Sequence, residues 1–179
     1  MDIDEKYHHV PIPDSISFRV LKLSPTAGIT LNCEIITVSL VSPPSYEALS
    51  YAWDAQAPTH PITCNGKSLF ITANCEAALR RLRPRFVPRT LWIDSICIDQ
   101  TSVLERNQQV KHIGEIYGKS SRVVVWLGES TLQSDITLKY LDKMYYAYGA
   151  YNTDKDGQVL HLIRQFEGVL PVVERQNLC

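Results

Sequence analysis

Short apolar runs separated by turn residues fill the first two thirds of the chain. Strands are predicted over residues 18–23 and 29–40, because β-branched and aromatic residues are frequent there. Pro25 and Gly28 separate the two runs and mark a turn. We therefore expect the first two strands to form an antiparallel pair.

A second antiparallel pair is predicted over residues 61–72. Its two apolar runs flank Asn65-Gly66, a dipeptide that favours a tight hairpin turn. A helix is then predicted over residues 75–83, with Asn74 as its N-cap. The hairpin is expected to be an insertion into the main sheet.

Three further runs, at residues 46–53, 91–100 and 122–128, are apolar at nearly every position. Such runs are typical of strands buried on both faces, as in a parallel sheet. A helix predicted over residues 102–119 connects the last two. The alternation predicts an α/β fold with an open, mainly parallel sheet, flanking helices, N-terminal antiparallel strands and the hairpin insertion.

The helix over residues 102–119 carries an apolar stripe. Its members are Val103, Val110, Ile113 and Tyr117. Arg106 lies on the same stripe, so we expect its guanidinium to be buried and paired with Asp94 or Asp99.

The two ends of the chain have different patterns. Residues 1–17 show no period and predict an extended lead-in whose adjacent His8 and His9 are exposed. Residues 18–130 are predicted to form the core, and residues 131–179 a helical extension packed on it. Within that extension, residues 132–151 are predicted to form a tyrosine-rich amphipathic helix.

Composition and charge argue against nucleic-acid-binding, membrane-spanning and secreted proteins. The 179 residues are 45% hydrophobic and 21% charged, with a formal net charge of -1. A near-neutral chain lacks the clustered positive charge of nucleic-acid-binding proteins, and the basic run over residues 80–85 is interpreted as a helix end. No apolar run has the length of a membrane span. The N-terminus lacks a secretory signal, so we expect a cytoplasmic protein.

The five cysteines form no CxxC pair and no zinc-type spacing with histidine. Cys33, Cys64 and Cys97 fall within apolar runs, where a free thiol behaves as a small hydrophobic side chain. We expect a reducing compartment and no metal site.

Polar side chains gather where the three buried strands are predicted to end. In open parallel sheets, ligands bind outside the carboxyl ends of the strands. The tips near Tyr51, Ile98 and Leu127 are expected to be neighbours on one edge. The candidate site residues are Ser50, Tyr51, Trp53, Asp94, Cys97, Asp99, Gln100, Glu105, Arg106 and Glu129.

Several of these residues also have a structural interpretation. Ser102 and Glu105 are spaced as a capping box, which would occupy the Glu105 carboxylate at the helix start. Asp94 and Arg106 are also compatible with a purely structural ion pair. A Cys97 nucleophile would need a base, for which His112 is the helical candidate. The chain has neither a glycine-rich phosphate loop nor a G-x-S-x-G elbow.

Several motifs resemble those of the fungal heterokaryon incompatibility (HET) domain. They are YEALSYAW at 46–53, ITCNG at 62–66, WIDSICIDQ at 92–100, ER at 105–106 and VWLG at 125–128. The resemblance implies a cytosolic fungal protein that acts in self/non-self recognition and programmed cell death. The chain departs from the family pattern at Asp54, where glycine is usual, at Ser95 and at Asp99.

A second likeness concerns architecture. The first core strand and the strand–helix order that follows are similar to Toll/interleukin-1 receptor (TIR) domains and to the flavodoxin-like order. That likeness implies an enzyme that cleaves NAD or a related nucleotide as substrate, without a bound cofactor, using Asp94, Glu105 or Glu129. Trp53 or Tyr51 would then stack on a ring.

The order of strands favours Glu129 as the acid, whereas the HET motifs favour Asp94 and Glu105. The alternative to an enzyme is a non-enzymatic module that associates with itself or with a partner protein through the helix at residues 132–151. The cleft residues would then be structural.

Overall fold

The computed structural model describes residues 5–25, 28–53 and 56–129. Its elements, in chain order, are β1 Ser17–Leu23, β2 Asn32–Ser39, β3 Glu47–Tyr51, β4 His60–Cys64, β5 Lys67–Ile71, α1 Ala73–Leu82, β6 Arg89–Ile93, α2 Asp94–Cys97, α3 Val103–Val110, α4 Ile113–Lys119 and β7 Arg122–Trp126. The helices predicted beyond residue 130 lie outside the described residues.

The described strands form one sheet of seven in the order β5-β4-β2-β1-β6-β3-β7. Three of its pairings are parallel: β3 with β6, β3 with β7, and β2 with β4. The other three are antiparallel: β1 with β2, β1 with β6, and β4 with β5. The sheet is therefore mixed: the predicted parallel arrangement is present at β6, β3 and β7, and the parallel β2–β4 pairing was not predicted. The difference arises because β1 lies beside β6 and runs against it.

Both predicted antiparallel pairs are present. At the turn between β4 and β5, Asn65 has a φ of 50° and Gly66 a φ of 78°, the left-handed values that a tight hairpin needs. The Asn65 amide also pairs with β2, because its Oδ1 accepts from the Ile35 backbone N–H at 2.7 Å and its Nδ2 donates to the Ile35 carbonyl at 3.3 Å. The turn residue thus extends the pairing of β4 with β2.

The carboxyl ends of β6, β3 and β7 lie side by side, as predicted. Leu49 is in register with Ile93, and Tyr51 with Trp126. We call this edge the rim. The sixth strand, however, ends at Ile93 and not at residue 100. Asp94 begins a one-turn helix, since the Ile98 N–H returns to the Asp94 carbonyl at 3.2 Å.

The helix predicted over residues 102–119 is two helices, and its buried face differs from the predicted stripe. Val103 and Val110 are each 59% exposed, whereas Gln109 is 1% exposed. The Gln109 amide donates to the Ser17 carbonyl at 3.0 Å, which turns this side of α3 toward the sheet. Arg106 is exposed and reaches only the Gln100 carbonyl, at 3.5 Å. The predicted burial of Arg106 against Asp94 or Asp99 is therefore wrong.

Helices cover both faces of the parallel strands. On one face, the Tyr46 hydroxyl donates to the Ile116 carbonyl of α4, and the rings of Trp92 and Tyr117 meet edge to face at 5.2 Å. Strand side chains alternate between faces, so Tyr51 points to the other side, where it interacts with Cys75 of α1. This packing places the first turns of α1 and α2 at the rim.

The start of α1 also differs from the prediction. Thr72 is the N-cap, because its Oγ1 accepts from the Cys75 N–H at 3.2 Å, and the helix begins at Ala73. Asn74 is therefore the second residue of the helix. The predicted basic helix end is present, with Arg80 and Arg81 in the last turn.

The described part of the lead-in is fixed to the domain. Tyr7 is 9% exposed, and its N–H donates to the Ser68 carbonyl at 2.8 Å. His8 is exposed as predicted, but His9 is half-buried, with its Nε2 at 2.7 Å from the Ile96 carbonyl oxygen. Among the described residues, no helix is long and apolar enough to cross a membrane.

Candidate functional site

Asp94 lies at the rim, directly after β6. Its Oδ1 accepts from the Ser95 backbone N–H at 2.7 Å and from the Trp53 indole N–H at 3.3 Å. Burial raises the pKa of Asp94, and these hydrogen bonds lower it by less. Within the described parts of the chain, Asp94 forms no salt bridge. It is a half-buried carboxylate without a cationic partner there.

Trp53 provides an exposed aromatic surface beside this carboxylate. The side chain is 42% exposed, although the sequence favours a core position for a tryptophan. Below it, the Tyr51 hydroxyl and the Ser95 hydroxyl are 2.6 Å apart. Burial raises the pKa of Tyr51, which keeps its hydroxyl protonated and able to donate. Asp94, Trp53 and Tyr51 are thus brought together as predicted.

Tyr117 of α4 is hydrogen-bonded to Ser50 and lies close enough to Asp94 for the negative charge of that carboxylate to act on it. Burial is the largest cause of the raised pKa of Tyr117, followed by the negative charge of Asp94. A hydrogen bond with Ser50 lowers that pKa by less. The sequence analysis placed Tyr117 in a core stripe and missed its contact with the site.

Asn74 is a second residue that the sequence analysis did not place at the site. Its Nδ2 donates to the Ala52 carbonyl at 2.7 Å, and its Oδ1 accepts from the Trp126 indole N–H at 2.8 Å. Ala52 follows β3 and Trp126 ends β7, so Asn74 bridges two tips of the rim. The sequence predicted a helix near this position but assigned the Asn74 amide to the N-cap, a role that Thr72 fills.

Gln100 and Asp99 stabilise the loop after α2. The Gln100 amide donates to the Asp94 carbonyl at 2.9 Å. The Asp99 carboxylate accepts from the Thr101 N–H at 2.9 Å and from the Thr101 hydroxyl at 2.7 Å. Burial raises the pKa of Asp99, but these bonds and nearby positive charge outweigh it, so the pKa is lowered. Both side chains are engaged in shaping the loop.

Glu105 forms a buried ion pair with Arg19. The guanidinium binds both carboxylate oxygens, at 2.6 and 2.9 Å, and Oε1 also accepts from the Asp99 N–H at 2.7 Å. Burial raises the pKa of Glu105, but the hydrogen bonds from Arg19 and Asp99 outweigh it and leave the pKa lowered. This carboxylate is held ionised and fully engaged.

The predicted capping box is only half formed. The Ser102 hydroxyl accepts from the Glu105 N–H at 3.3 Å, as such a box requires. The Ser102 N–H, however, donates to the Asp99 carbonyl and not to the Glu105 side chain. The Glu105 carboxylate binds the Arg19 guanidinium instead.

The buried position of Arg19 was not predicted from the sequence. Its side chain is 2% exposed, and it also donates to the Cys97 carbonyl at 3.0 Å and to the Val10 carbonyl at 2.6 Å. It therefore joins β1, the lead-in, the end of α2 and α3. No local signal distinguishes it from Lys22 on the same strand, because both are cations between apolar neighbours.

Among the described residues, the side chains of the remaining predicted residues make no hydrogen bond with the side chains of Asp94, Trp53 or Tyr51. Cys97 is 1% exposed, and burial raises its pKa to about 12, so it is a poor nucleophile. His112 is 4.0 Å from Glu115 and forms no described contact with Cys97. Arg106 and Glu129 are exposed, and Glu129 follows β7 by three residues.

A cleft of about 320 Å³ lies at the opposite edge, where the parallel strands begin. Its lining includes Glu47 and Arg89, which are paired at 2.7 Å. Arg122 also binds Glu47, at 2.8 Å. The charges of this cleft are thus compensated, in contrast to that of Asp94.

The rim combines a half-buried carboxylate, an exposed indole, hydroxyl groups and an amide. A carboxylate of this kind stabilises a developing positive charge, and an indole binds a flat ring. Within residues 5–25, 28–53 and 56–129, no group of three His, Cys, Asp or Glu side chains is placed to hold a metal ion. The carboxylate and the indole together can act on a ligand that carries a flat ring and a developing positive charge.

Comparison with known proteins gives a family match. The family described as heterokaryon incompatibility protein (HET) matches residues 46–170, which include the rim. Heterokaryon incompatibility protein 6, OR allele, from Neurospora crassa is 35% identical over 77% of this chain. The chain spans 24% of the length of that relative. No solved structure matches the chain.

Proposed function

Because this chain belongs to the heterokaryon incompatibility (HET) family, we propose that it is the effector domain of a cytoplasmic fungal incompatibility protein. Its activity would be the cleavage of NAD or a related nucleotide at the rim, and cell death would follow from loss of that nucleotide. The observation that carries the chemistry is the environment of Asp94. The incompatibility role is supported by the family match and by the named relative.

Asp94 is the best candidate among the three predicted acids. Glu105 is neutralised by Arg19 and would lose its fold-stabilising contacts if it reacted. Glu129 is exposed to water, which weakens any electrostatic effect it exerts. Asp94 is half-buried and has a raised pKa, the environment in which a carboxylate interacts most strongly with a developing cation.

The proposed reaction is hydrolysis of the bond between the ribose C1′ and the nicotinamide nitrogen. The bond breaks with its electron pair passing to the nicotinamide, which leaves as a neutral ring. The ribosyl cation that forms is stabilised by the ionised Asp94, as glycosidase carboxylates stabilise an oxocarbenium ion. Water then attacks C1′ and releases one proton to solvent. The products are nicotinamide and ADP-ribose.

Other rim residues would bind and orient the substrate. Trp53 offers an indole face on which a flat ring can stack beside the carboxylate. The Tyr51–Ser95 hydroxyl pair lies next to Asp94 and would supply a donor, whereas Ser50, on the opposite face of β3 from Tyr51, is hydrogen-bonded to Tyr117. Gln100 fixes the backbone of Asp94. Arg106, at the outer side of the loop, is a candidate contact for phosphate.

The test is release of nicotinamide from NAD by purified protein, measured by chromatography. We expect Asp94→Asn to lower the rate about 100-fold or more, in the range seen when one catalytic group is removed. Asp14→Asn makes the same chemical change at an exposed site in the lead-in and serves as the matched control. Absence of product from the wild-type protein, even under self-associating conditions, would overturn the proposal.

Glu129→Gln distinguishes the two remaining acids. Loss of activity in this variant, with activity retained in Asp94→Asn, would keep the enzyme and reassign its acid. The opposite result supports Asp94. Glu105→Gln is a poor test, because it breaks a buried ion pair and thereby perturbs the fold.

A non-enzymatic interaction module remains the second candidate, and one observation favours it. Val103, Leu104 and Val110 of α3 are 59%, 81% and 59% exposed, although the sequence pattern predicted Val103 and Val110 on a buried stripe. Exposed apolar side chains of this kind mark association surfaces. The tyrosine-rich helix predicted for the same role lies outside the described residues. For such a module, Asp94→Asn retains cell killing in a fungal host, whereas Leu104→Asp abolishes it.

A further inference from the structure

Asn74 connects two strand tips that carry the rim. Its amide donates to the Ala52 carbonyl at 2.7 Å and accepts from the Trp126 indole at 2.8 Å. Both distances are those of good hydrogen bonds. Because a carbonyl only accepts and an indole N–H only donates, the two partners fix which end of the amide carries the nitrogen. The side chain is therefore held in one orientation.

The local fold makes Asn74 available for this role. Thr72 caps the helix, so the Asn74 side chain is not needed at the helix start. The second position of α1 lies at the rim because β5 and Thr72 lead the chain there. The result is a cross-link between α1, the loop after β3 and the end of β7.

The bond to Ala52 fixes the peptide that precedes Trp53. The Trp53 ring is 42% exposed, and its own bond to Asp94 is long, at 3.3 Å. The position of the ring therefore depends on its backbone. The Asn74–Ala52 bond is the shortest side-chain contact described for that backbone segment.

We infer that Asn74 is a positioning residue that sets the distance between the Trp53 indole and the Asp94 carboxylate, and thereby the binding of the substrate ring. This inference rests on the proposed function. Asn74 touches neither the ring nor the reacting atoms. It acts through the loop after β3.

The decisive variant is Asn74→Asp, which has nearly the same shape. The carboxylate still accepts from Trp126 but no longer donates to Ala52, whose carbonyl then faces a negative charge. We expect KM for NAD to rise about fivefold to tenfold, the effect of losing one hydrogen bond, with kcat within about twofold. A loss confined to KM is typical of binding that is equal in the ground and transition states.

Asn107→Asp is the matched control. Asn107 is exposed on α3 and has no described contact with Asn74, Trp53 or Asp94, so the same substitution there should leave KM and kcat unchanged. A change in KM for both variants would show a general effect of added negative charge and would overturn the inference.

A second readout does not depend on activity. The chain has three tryptophans, so ¹⁵N-labelled protein gives three indole N–H resonances; Trp53→Phe and Trp126→Phe assign two of them, and the third is that of Trp92. In Asn74→Asp we expect the Trp53 resonance to move and the buried Trp92 resonance to stay. If the wild type does not cleave NAD, the proposed function fails, while a shifted Trp53 resonance still supports Asn74 as the residue that positions the indole.

An unchanged Trp53 resonance together with an unchanged KM overturns the inference. If Asn74→Asp does not fold, as judged by circular dichroism, Asn74→Ser is measured instead. Serine is too short to reach both partners, so the same shift of the Trp53 resonance and the same rise in KM are expected.

Discussion

Asp94 and Glu105 lie on the same segment after β6, yet their surroundings are opposite. Glu105 binds the Arg19 guanidinium through both oxygens and also accepts a backbone N–H. Among the described residues, the Asp94 carboxylate accepts from the Ser95 N–H and, at longer range, from the Trp53 indole, and it has no cationic partner. The pKa of the first is lowered and that of the second is raised.

The difference separates two uses of a carboxylate. A buried acid with a bidentate arginine partner holds segments together, and its ionised form is fully compensated. A half-buried acid without such a partner has an ionised form that burial disfavours, which is the usual condition of a reactive carboxylate. Asp94 and Glu105 are close together in sequence, and their positions in the motif do not show which acid is structural and which is a candidate for reaction.

Among the variants that test this comparison, Arg19→Met has the largest expected effect. It leaves the Glu105 carboxylate buried without its cation and also removes the donors to the Cys97 and Val10 carbonyls. We expect a loss of about 3–5 kcal/mol in the free energy of unfolding, as for other broken buried ion pairs. Urea denaturation followed by circular dichroism measures it.

The double variant Arg19→Met/Glu105→Leu sharpens the result. Because the unpaired carboxylate is removed as well, it should regain part of the stability lost in Arg19→Met. A loss below about 1 kcal/mol in the single variant is the size found for exposed pairs. That outcome would mean that the Arg19–Glu105 pair does not hold the fold together.

The rim was predictable because its signals are local and strong. Runs apolar at nearly every position predicted β3, β6 and β7, and the parallel order followed from the helices between them. The Asn65-Gly66 turn was predicted because few other residues adopt left-handed φ values at low cost. Asp94, Trp53 and Tyr51 were brought to one edge by these rules alone.

The contacts that the sequence did not reveal are long-range. Arg19 and Glu105 are far apart in the chain, and nothing in the alternation of β1 separates a buried cation from an exposed one. The stripe on α3 was misplaced because Gln109, a polar residue, is buried through a single bond to Ser17. Asn74 was predicted as the helix N-cap, but Thr72 has an equally good capping side chain and occupies that position. The sequence alone does not distinguish the two.

The parallel share of the sheet was overestimated, because strand order also depends on long-range contacts. The antiparallel β1–β2 pair was predicted, but its insertion beside β6 depends on tertiary packing. A strand buried on both faces is typical of parallel sheets, yet β1 is almost wholly buried within antiparallel pairings. Burial therefore did not determine strand direction here.

The smaller test concerns the effect of pH on stability in Asp94→Asn. A carboxyl whose pKa is raised by folding favours the folded state below the pKa of the unfolded chain, and this contribution is lost as pH rises through the folded pKa. Wild-type Asp94 therefore costs stability at neutral pH. Asparagine can still accept from the Ser95 and Trp53 N–H groups and carries no charge, so we expect Asp94→Asn to be at least as stable as wild type at pH 7.

The difference between Asp94→Asn and wild type should shrink as the pH falls through the raised folded pKa of Asp94 towards about 3.8, the ordinary pKa of aspartate, because below that value both side chains are neutral in the folded and the unfolded chain. Glu105 has the opposite sign: its lowered pKa gives stability above the ordinary glutamate pKa of about 4.5, which is lost as pH falls through the folded value. Urea midpoints measured from pH 3 to pH 7 separate the two. If Asp94→Asn is markedly less stable than wild type at pH 7, Asp94 has an undetected stabilising partner and belongs with Glu105 among the structural acids.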